Sequence, residues 1–438
     1  MNPLAGLLSE RLSKAQVVDG FETERWAVCG RVPQAVVFPE SEEEVAEVLS
    51  LSSEEGWQCI PGGRGGWLHG GQPPHGVDVV VSTERMNDIS AYEPADQFIE
   101  ARAGAELDAL ERRTLECRQW LALDPPGGER GTLGAMVAVG AAGPLQAGFG
   151  SPRDQVLGAT LVTGDGRVLG LGGRVVKNVA GFDLLKLVTG SWGTLGVITS
   201  VTMRLHPVPA IDRSLLFKAP DLTEGATLAR HLARAPLSLA AVELLVPGDG
   251  ESGAGASSPL VAVRIMESVD GVDEAERVLS ERAGMPPVER LEGEKSAAIF
   301  DNVRAMEDGA ELVLRLSLLP SRLPDLVEMI SRLSDLYDPT AGWGMRLAAH
   351  AYTGVLRVMI AKVRRSDAWL DRAIEALGDL RRSLEAEGGS LVVSQSPPEI
   401  VGAIGAWGGS GPPVALFTAG IQAAFDPASI LAQGRFPQ

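Results

Sequence analysis

Residues 58–66 read QCIPGGRGG, a short apolar strand that runs directly into a glycine-rich loop. An apolar strand at 34–39 comes before it, followed by a helix that begins at Ser41, with Glu44 three residues on as a capping box. The order is therefore strand, helix, strand, loop. Glycines let backbone N–H groups approach a phosphate, because no Cβ intervenes. Alone, the loop fits a plain tight turn equally well, and the G-x-G-x-x-G with a long helix that marks a Rossmann site is missing.

Two further clusters of small residues follow along the chain. Residues 131–136, GTLGAM, predict the start of a helix whose N-terminal amides could meet an anion, although close packing of small residues is the favoured interpretation of this cluster alone. Residues 177–183 and 190–199, KNVAGFD and GSWGTLGVIT, connect a helix to a strand. Such a glycine-rich connection allows a flat ring to lie against the backbone, and a series of β-turns is the alternative.

Length and charge exclude several classes of protein. The chain has 438 residues, 45% of them hydrophobic, and can bury a large core in domains of about 150 residues each. Its formal net charge of −18 disfavours binding to nucleic acid or to anionic lipid. No apolar run reaches the ~18 residues of a membrane span, so no transmembrane segment and a cytoplasmic location are expected.

The cysteines and histidines follow no metal-binding pattern. Cys29, Cys59 and Cys117 are far apart, and an iron–sulfur cluster usually needs four thiolates, so this chain cannot build one alone. The five histidines include no H-E-x-x-H and no close H-x-H pair. The sequence therefore predicts no metal site.

The second half of the chain changes character after the boundary at 206–209. Strands and helices there alternate in the order β-α-β-β-α, and a similar order returns between residues 312 and 387. This pattern predicts two such units that share a mainly antiparallel sheet.

The three glycine clusters, taken in this order, resemble the FAD-binding domain of the vanillyl-alcohol oxidase and p-cresol methylhydroxylase (PCMH) superfamily, and most of all the GlcE-type flavin subunits of bacterial glycolate oxidase. The resemblance implies an α+β fold: a PCMH-type FAD-binding domain of two α+β subdomains, then a cap domain with a mainly antiparallel sheet flanked by helices. The expected divisions are a helical lead-in (1–30), the FAD-binding domain (31–209), the cap (210–395) and a tail that returns to the FAD domain (396–438).

The resemblance also implies which residues meet the cofactor, FAD. The first loop would wrap the pyrophosphate, and residues of the second and third clusters would lie along the pyrophosphate, the flavin or the adenosine. The residues so implied are Gly62, Gly63, Arg64, Gly65, Gly66, Thr132, Gly134, Ala138, Gly143, Gly193, Gly196 and Ile198. Arg64 and Gly65 depart from the family's loop, and Arg64 could pair with a phosphate or block its approach. In the tail, Ala432-Gln433-Gly434 replaces the family's Asn-Pro-Gly.

Catalysis is less clearly indicated than cofactor binding. Active hydroxy-acid dehydrogenases of the family carry a histidine-rich run in the second domain, and the corresponding stretch here, 350–357, has one histidine, His350. A lone histidine beside a strand is more often structural, so His350 is a weak catalytic candidate and the catalytic residues stay unassigned.

The resemblance implies an FAD-dependent oxidoreductase subunit that works with a second, catalytic flavin subunit and an iron–sulfur subunit on a small 2-hydroxy acid such as glycolate or D-lactate. Any attachment to the inner membrane would be made through these partners. Two alternatives stay open: a flavin-poor or catalytically silent scaffold subunit, and a stand-alone FAD-dependent alcohol or lactone oxidase.

Overall fold

The computed structural model describes residues 2–173, 183–246, 258–330, 333, 336, 345–361, 366–409 and 412–436. The predicted stretch 177–182 at the start of the third cluster lies outside these residues. In the described part of the chain, two small sheets and a short two-stranded ribbon are followed by one large sheet.

The first α+β subdomain contains the loop at 62–66. Its elements are α1 (Pro3–Arg11), β1 (Val17–Asp19), β2 (Ala35–Val37), α2 (Glu42–Glu55), β3 (Cys59–Gly62) and β4 (Val79–Ser82). The sheet order is β1-β2-β4-β3, with β2, β4 and β3 parallel and β1 antiparallel to β2. Strand β1 lies in the segment for which only a helical lead-in was predicted. Its three residues are too few to show an alternating pattern, and they become a strand by pairing with β2.

Helix α2 forms as its sequence predicts. The Ser41 Oγ accepts a hydrogen bond from the Glu44 backbone N–H at 3.2 Å, and the helix ends at Gly56, whose φ of 71° is left-handed. Its apolar face is fully buried against the first sheet, through Val45, Val48 and Leu49. This packing places α2 against the sheet whose strand β3 runs into the glycine loop.

The second α+β subdomain carries the other two glycine clusters. Its elements are β5 (Ile89–Glu93), β6 (Phe98–Arg102), α3 (Leu107–Leu115), β7 (Gln119–Trp120), α4 (Leu133–Val139), α5 (Gln146–Phe149), α6 (Pro152–Gln155), β8 (Val156–Val162), β9 (Val168–Gly172), α7 (Leu184–Val188), β10 (Val197–Arg204) and β11 (His206–Pro207). The sheet order is β5-β6-β10-β8-β9, and every pair is antiparallel. The hairpin predicted at 164–166 joins β8 to β9. The predicted pair of α+β subdomains is confirmed.

The cap is built on one eight-stranded sheet. Its elements are β12 (Ile211–Lys218), α8 (Leu222–Ala233), β13 (Ala241–Val246), β14 (Leu260–Glu267), α9 (Val269–Ala283), β15 (Glu289–Glu292), α10 (Glu294–Ala305), β16 (Leu312–Ser317), α11 (Leu323–Met329), β17 (Met345–His350), β18 (Val355–Ile360), α12 (Asp367–Ala386) and β19 (Ser390–Gln395). The order is β15-β12-β14-β13-β17-β18-β16-β19, antiparallel throughout, which confirms the predicted antiparallel sheet. Strand β15 and helix α10 were not predicted.

The two faces of the cap sheet differ in chemistry. One face packs against α8, α9, α11 and α12 and forms the largest apolar core. Alternate residues on the other face form a small apolar cluster under α10 and, beside it, a row of buried polar and charged side chains. Members of this row are Ser214, Glu243, Arg264, His350 and Arg357. Helix α10 and the residues after it contact the segment between β7 and α4, because Gly127 N–H donates to Arg304 O at 2.9 Å and Gly128 N–H to Asp308 Oδ1 at 3.0 Å.

The last residues contain α13 (Pro398–Ile404) and α14 (Pro412–Phe425) and then run back to the first sheet. Cys59 N–H in β3 donates to Ile430 O at 2.7 Å, and Ala432 N–H donates to Cys59 O at 2.9 Å. The Asp426 carboxylate accepts from the Leu431 N–H at 2.7 Å and so shapes this turn. Within the described residues, no helix has the length and apolar character needed to cross a membrane.

Candidate functional site

The loop at 62–66 is held against the second cluster by a close approach of backbone to side chain. A Cβ on Gly63 would lie 2.2 Å from the Thr132 Oγ1, so only glycine fits there without a shift. The Ser82 hydroxyl donates to Gly63 O at 2.8 Å and fixes the loop from the other side. Thr132 is 1% exposed, and its Oγ1 has no hydrogen-bond partner among the described residues.

The second cluster forms α4 but does not offer its first amides to a ligand. Leu133 N–H donates to Ala105 O at 2.9 Å, and Gly134 N–H donates to Ala103 O at 2.8 Å. A Cβ on Gly134 would lie 2.5 Å from the Ala103 Cβ. The Leu133 and Gly134 amides are therefore occupied by neighbouring carbonyls and are not free to meet an anion, and close packing of small residues, the interpretation favoured for this cluster alone, agrees with the structure.

The third cluster is hydrogen-bonded to the C-terminal end of α4. Trp192 N–H donates to Ala138 O at 2.8 Å, and Gly190 N–H donates to Val137 O at 3.0 Å. Gly193 packs on the ring of Pro61, which brings this loop beside the first glycine loop. The three clusters, distant in sequence, thus meet around one space.

That space is a crevice with an empty volume of about 600 Å³. Most of the predicted cofactor residues line it: Gly62, Gly63, Gly65, Gly66, Gly134, Ala138, Gly193, Gly196 and Ile198. Trp67 and Trp192 add flat aromatic walls, and Arg435 reaches the crevice from the tail. A crevice lined by glycines and flat aromatic rings lets backbone approach phosphates and rings closely, as an extended ligand with both groups requires.

A larger interdomain cavity, with an empty volume of about 1840 Å³, adjoins the crevice and shares Gly65, Gly66, Trp67 and Ala135 with it. Two predicted residues, Arg64 and Thr132, line this cavity and not the crevice. The Arg64 guanidinium forms an ion pair with Glu106, and 57% of the Arg64 side chain is exposed. Gly143 lines neither space and lies against the Asp124 carbonyl instead.

His350 also lines neither space. It is 4% exposed, and its Nδ1 lies 2.6 Å from the Glu243 Oε1, with Glu243 1% exposed. At the end of the same 350–357 stretch, Arg357 donates to the Glu307 Oε1 at 3.0 Å and to Val303 O at 3.1 Å. His350 is thus placed inside the cap, paired and away from both cavities. Among the described residues, no group of three or more His, Cys, Asp or Glu side chains is arranged to hold a metal ion.

Comparison with known proteins identifies two domains in the chain. The FAD binding domain family matches residues 33–172, and the C-terminal domain family of the FAD linked oxidases matches residues 262–392. The chain therefore carries an FAD binding domain followed by the C-terminal domain of the FAD linked oxidases. These two domains indicate FAD as the cofactor, and the resemblance to PCMH-type flavoproteins is confirmed.

Individual curated proteins are similar to parts of the chain. A D-lactate dehydrogenase of Archaeoglobus fulgidus is 32% identical over 56% of this chain and 56% of its own length. The glycolate oxidase subunit GlcE of Escherichia coli is 43% identical over 33% of this chain and 41% of its own length. The matches therefore span about half of these curated relatives or less. A solved alkyldihydroxyacetonephosphate synthase has the same fold, with a TM-score of 0.73 and 17% identity over 100% of this chain and 86% of that one.

The residues present in the crevice fit FAD on two structural grounds. The glycine walls leave room where side chains would otherwise stand, as at Gly63. In addition, the Arg435 Nη1 is buried, has no hydrogen-bond partner among the described residues and belongs to a side chain that lines the crevice. Sequence reasoning missed Arg435, and the sign that could have found it is its position directly after the Ala432-Gln433-Gly434 segment already compared with the family.

Asp124, at the junction of the two domains, provides a pH-dependent test of the interdomain contact. Burial raises the pKa of Asp124 from 3.8 to about 7, against the lowering effects of the Leu145 N–H bond and of Arg264. Between pH 4 and 7 the folded state therefore holds a proton that the unfolded state lacks, so stability contributed by this group falls as pH rises through that window.

We expect Asp124→Asn to remove this loss of stability, because an amide does not ionise in this pH range. The amide oxygen can still accept the hydrogen bond from the Leu145 N–H, which is 2.9 Å long in the wild type. The variant should match the wild type at pH 4 and exceed its free energy of unfolding by about 1–4 kcal/mol at pH 8. Urea unfolding of both proteins across this range measures the difference. Parallel pH profiles would show that the Asp124 carboxyl titrates near its ordinary value.

Proposed function

We propose that this chain is the FAD-binding subunit of a complex that oxidises a small 2-hydroxy acid such as glycolate or D-lactate. Its resemblance to GlcE and to D-lactate dehydrogenases supports the substrate class and the complex. FAD, when bound, supplies the redox chemistry, and the protein supplies binding and electrostatics. The crevice residues would hold it: Gly62, Gly63, Gly65, Gly66, Gly134, Ala138, Gly193, Gly196 and Ile198.

The observation that carries this proposal is the charge of the interdomain cavity. Among the described residues that line it, five carboxylates face three arginines: Glu106, Asp108, Glu129, Glu307 and Asp308 against Arg25, Arg64 and Arg130. Arg64 and Arg130 are already paired with carboxylates, and the chain as a whole carries −18. An anionic substrate in this cavity would therefore meet net repulsion.

The substrate acid would thus be oxidised on the partner flavin subunit. This chain would keep its FAD within the same assembly and exchange electrons with an iron–sulfur subunit. The burial of His350 with Glu243 supports this division, because the histidine is not placed to take a proton from a molecule in either cavity.

A second candidate function is favoured by the same cavity. A stand-alone oxidase of a neutral alcohol or lactone would not suffer the repulsion that an acid meets. It would need a base in the interdomain cavity, where Glu307 and His69 are present.

The experiment that separates these functions follows flavin absorbance under anaerobic conditions. The purified chain alone, loaded with FAD, is expected to stay oxidised with glycolate and D-lactate and to bleach with dithionite, which serves as the control. Co-expression with a partner flavin subunit and an iron–sulfur subunit should give a complex whose flavin bleaches with one of the acids. Bleaching of the isolated chain by a neutral alcohol or lactone would favour the second candidate function. Bleaching of the isolated chain by glycolate or D-lactate would contradict the proposal that the partner flavin subunit oxidises the acid.

A further inference from the structure

Arg435 is held in place by the backbone of the segment that follows the first glycine loop. Its Nη2 donates to Trp67 O at 2.8 Å, to Leu68 O at 3.2 Å and to Gly70 O at 2.7 Å. Its guanidinium also lies over the Trp192 ring, 5.5 Å from the centroid. The tail residue thus links two loops that border the crevice.

One end of this guanidinium is left without a partner. Arg435 is 3% exposed, and its Nη1 has no hydrogen-bond acceptor among the described residues. Burial lowers the pKa of Arg435, because the charged form is poorly solvated there. A buried, charged donor with no acceptor is costly, and an anion at the same place would remove that cost.

The crevice itself provides a reason for this charge. Among the described residues that line it, Arg435 is the only one with a charged side chain; the others are glycines, apolar residues, two tryptophans and Thr83. Arg64, the arginine inside the glycine loop, is turned to Glu106 and lines the interdomain cavity instead. The diphosphate of FAD carries two negative charges and is the part of the cofactor that a guanidinium suits.

We propose that the Arg435 guanidinium binds the diphosphate of FAD, so that the C-terminal tail supplies the cationic side chain of the cofactor site. The inference rests on the proposed occupation of the crevice by FAD. The hydrogen bonds of the Arg435 Nη2 hold the guanidinium in place before the cofactor binds, and its Nη1 can donate to a phosphate oxygen. The tail thereby contributes a charged side chain to the lining of the crevice.

Affinity of the apoprotein for FAD, ADP and adenosine tests this role. Quenching of tryptophan fluorescence reports binding, because Trp67 and Trp192 line the crevice. In Arg435→Gln we expect FAD and ADP to bind roughly 10- to 100-fold more weakly, since a charge-assisted hydrogen bond is lost. The affinity for adenosine, which has no phosphate, should change by less than about 2-fold. Arg435→Lys keeps the charge without the planar fork and should fall between the wild type and Arg435→Gln.

Arg381 provides a matched control. It is 7% exposed, and its guanidinium holds the carbonyls of Ile404 and Gly405, yet it lines neither cavity. Arg381→Gln removes a comparable backbone clamp and should lower the melting temperature without changing the ratio of ADP to adenosine affinity.

Three results would overturn the inference: FAD affinity in Arg435→Gln within about 2-fold of the wild type, an equal loss for ADP and adenosine, or the same pattern in Arg381→Gln. If Arg435→Gln does not fold, the test uses Arg435→Lys and its affinity for ADP relative to its affinity for adenosine. If this ratio equals that of the wild type, the inference is wrong. A wild-type apoprotein that binds no FAD would instead contradict the cofactor site itself.

Discussion

Gly63→Ala is expected to lose most of its bound FAD and to unfold more easily. The added Cβ would stand 2.2 Å from the Thr132 Oγ1 and 3.3 Å from both the Cβ and the Cγ2 of the same residue. Thr132 is β-branched and 1% exposed, so it cannot turn away freely, and the loop must move instead. We expect a loss of about 1–3 kcal/mol in the free energy of unfolding of the apoprotein, and a purified protein with little flavin absorbance.

Two further variants show whether this contact is the cause. Gly66→Ala lies in the same loop, but no other atom stands within 4 Å of the new Cβ, so the stability of the apoprotein should stay within about 0.5 kcal/mol of the wild type. Adding Thr132→Ala to Gly63→Ala removes the Oγ1 and should restore part of the stability. A Gly63→Ala protein as stable and as yellow as the wild type would contradict the close approach of Gly63 to Thr132.

His350→Ala is expected to destabilise the protein strongly while leaving its FAD content unchanged. Glu243 is 1% exposed, its Oε1 lies 2.6 Å from the His350 Nδ1, and its Oε2 has no partner among the described residues. Removal of the histidine leaves a buried carboxylate unpaired. Broken buried pairs of this kind cost about 3–5 kcal/mol, and chemical denaturation measures the loss.

The matched control replaces both partners at once. His350→Leu with Glu243→Leu buries no charge and fills the space with apolar side chains, so most of the stability should return. The full complex made with this double variant should still oxidise its acid substrate. If the complex loses turnover while the double variant stays folded and keeps its FAD, the pair takes part in the reaction, and its placement as an internal structural pair is wrong.

Local sequence was enough to predict the parts of the fold that rest on local chemistry. Ser41 and Glu44 mark the start of α2, the 164–166 turn marks a hairpin, and the alternation after residue 210 marks the antiparallel cap sheet. The glycine clusters could be related to one site only through resemblance, because nothing in their spacing states that Gly63 meets Thr132 or that Gly193 meets Pro61.

The elements that sequence reasoning missed depend on contacts distant in the chain. Helix α10 has no side-chain N-cap. Only Ser296, Phe300 and Val303 are buried, so the sequence shows little of the apolar periodicity that indicates an amphipathic helix. Strand β15 exists because it pairs with β12. The Glu243–His350 pair and the position of Asp124 likewise arise across strands or domains, where neighbouring residues in sequence carry no sign of them.

We expect this chain to hold FAD in the crevice between its three glycine clusters. The most direct measurement is the visible absorption spectrum of the purified chain, followed by acid release and identification of any flavin. A yellow protein that releases about one FAD per chain is the expected result. A colourless protein that takes up no added FAD would contradict the claim and favour a flavin-free scaffold subunit.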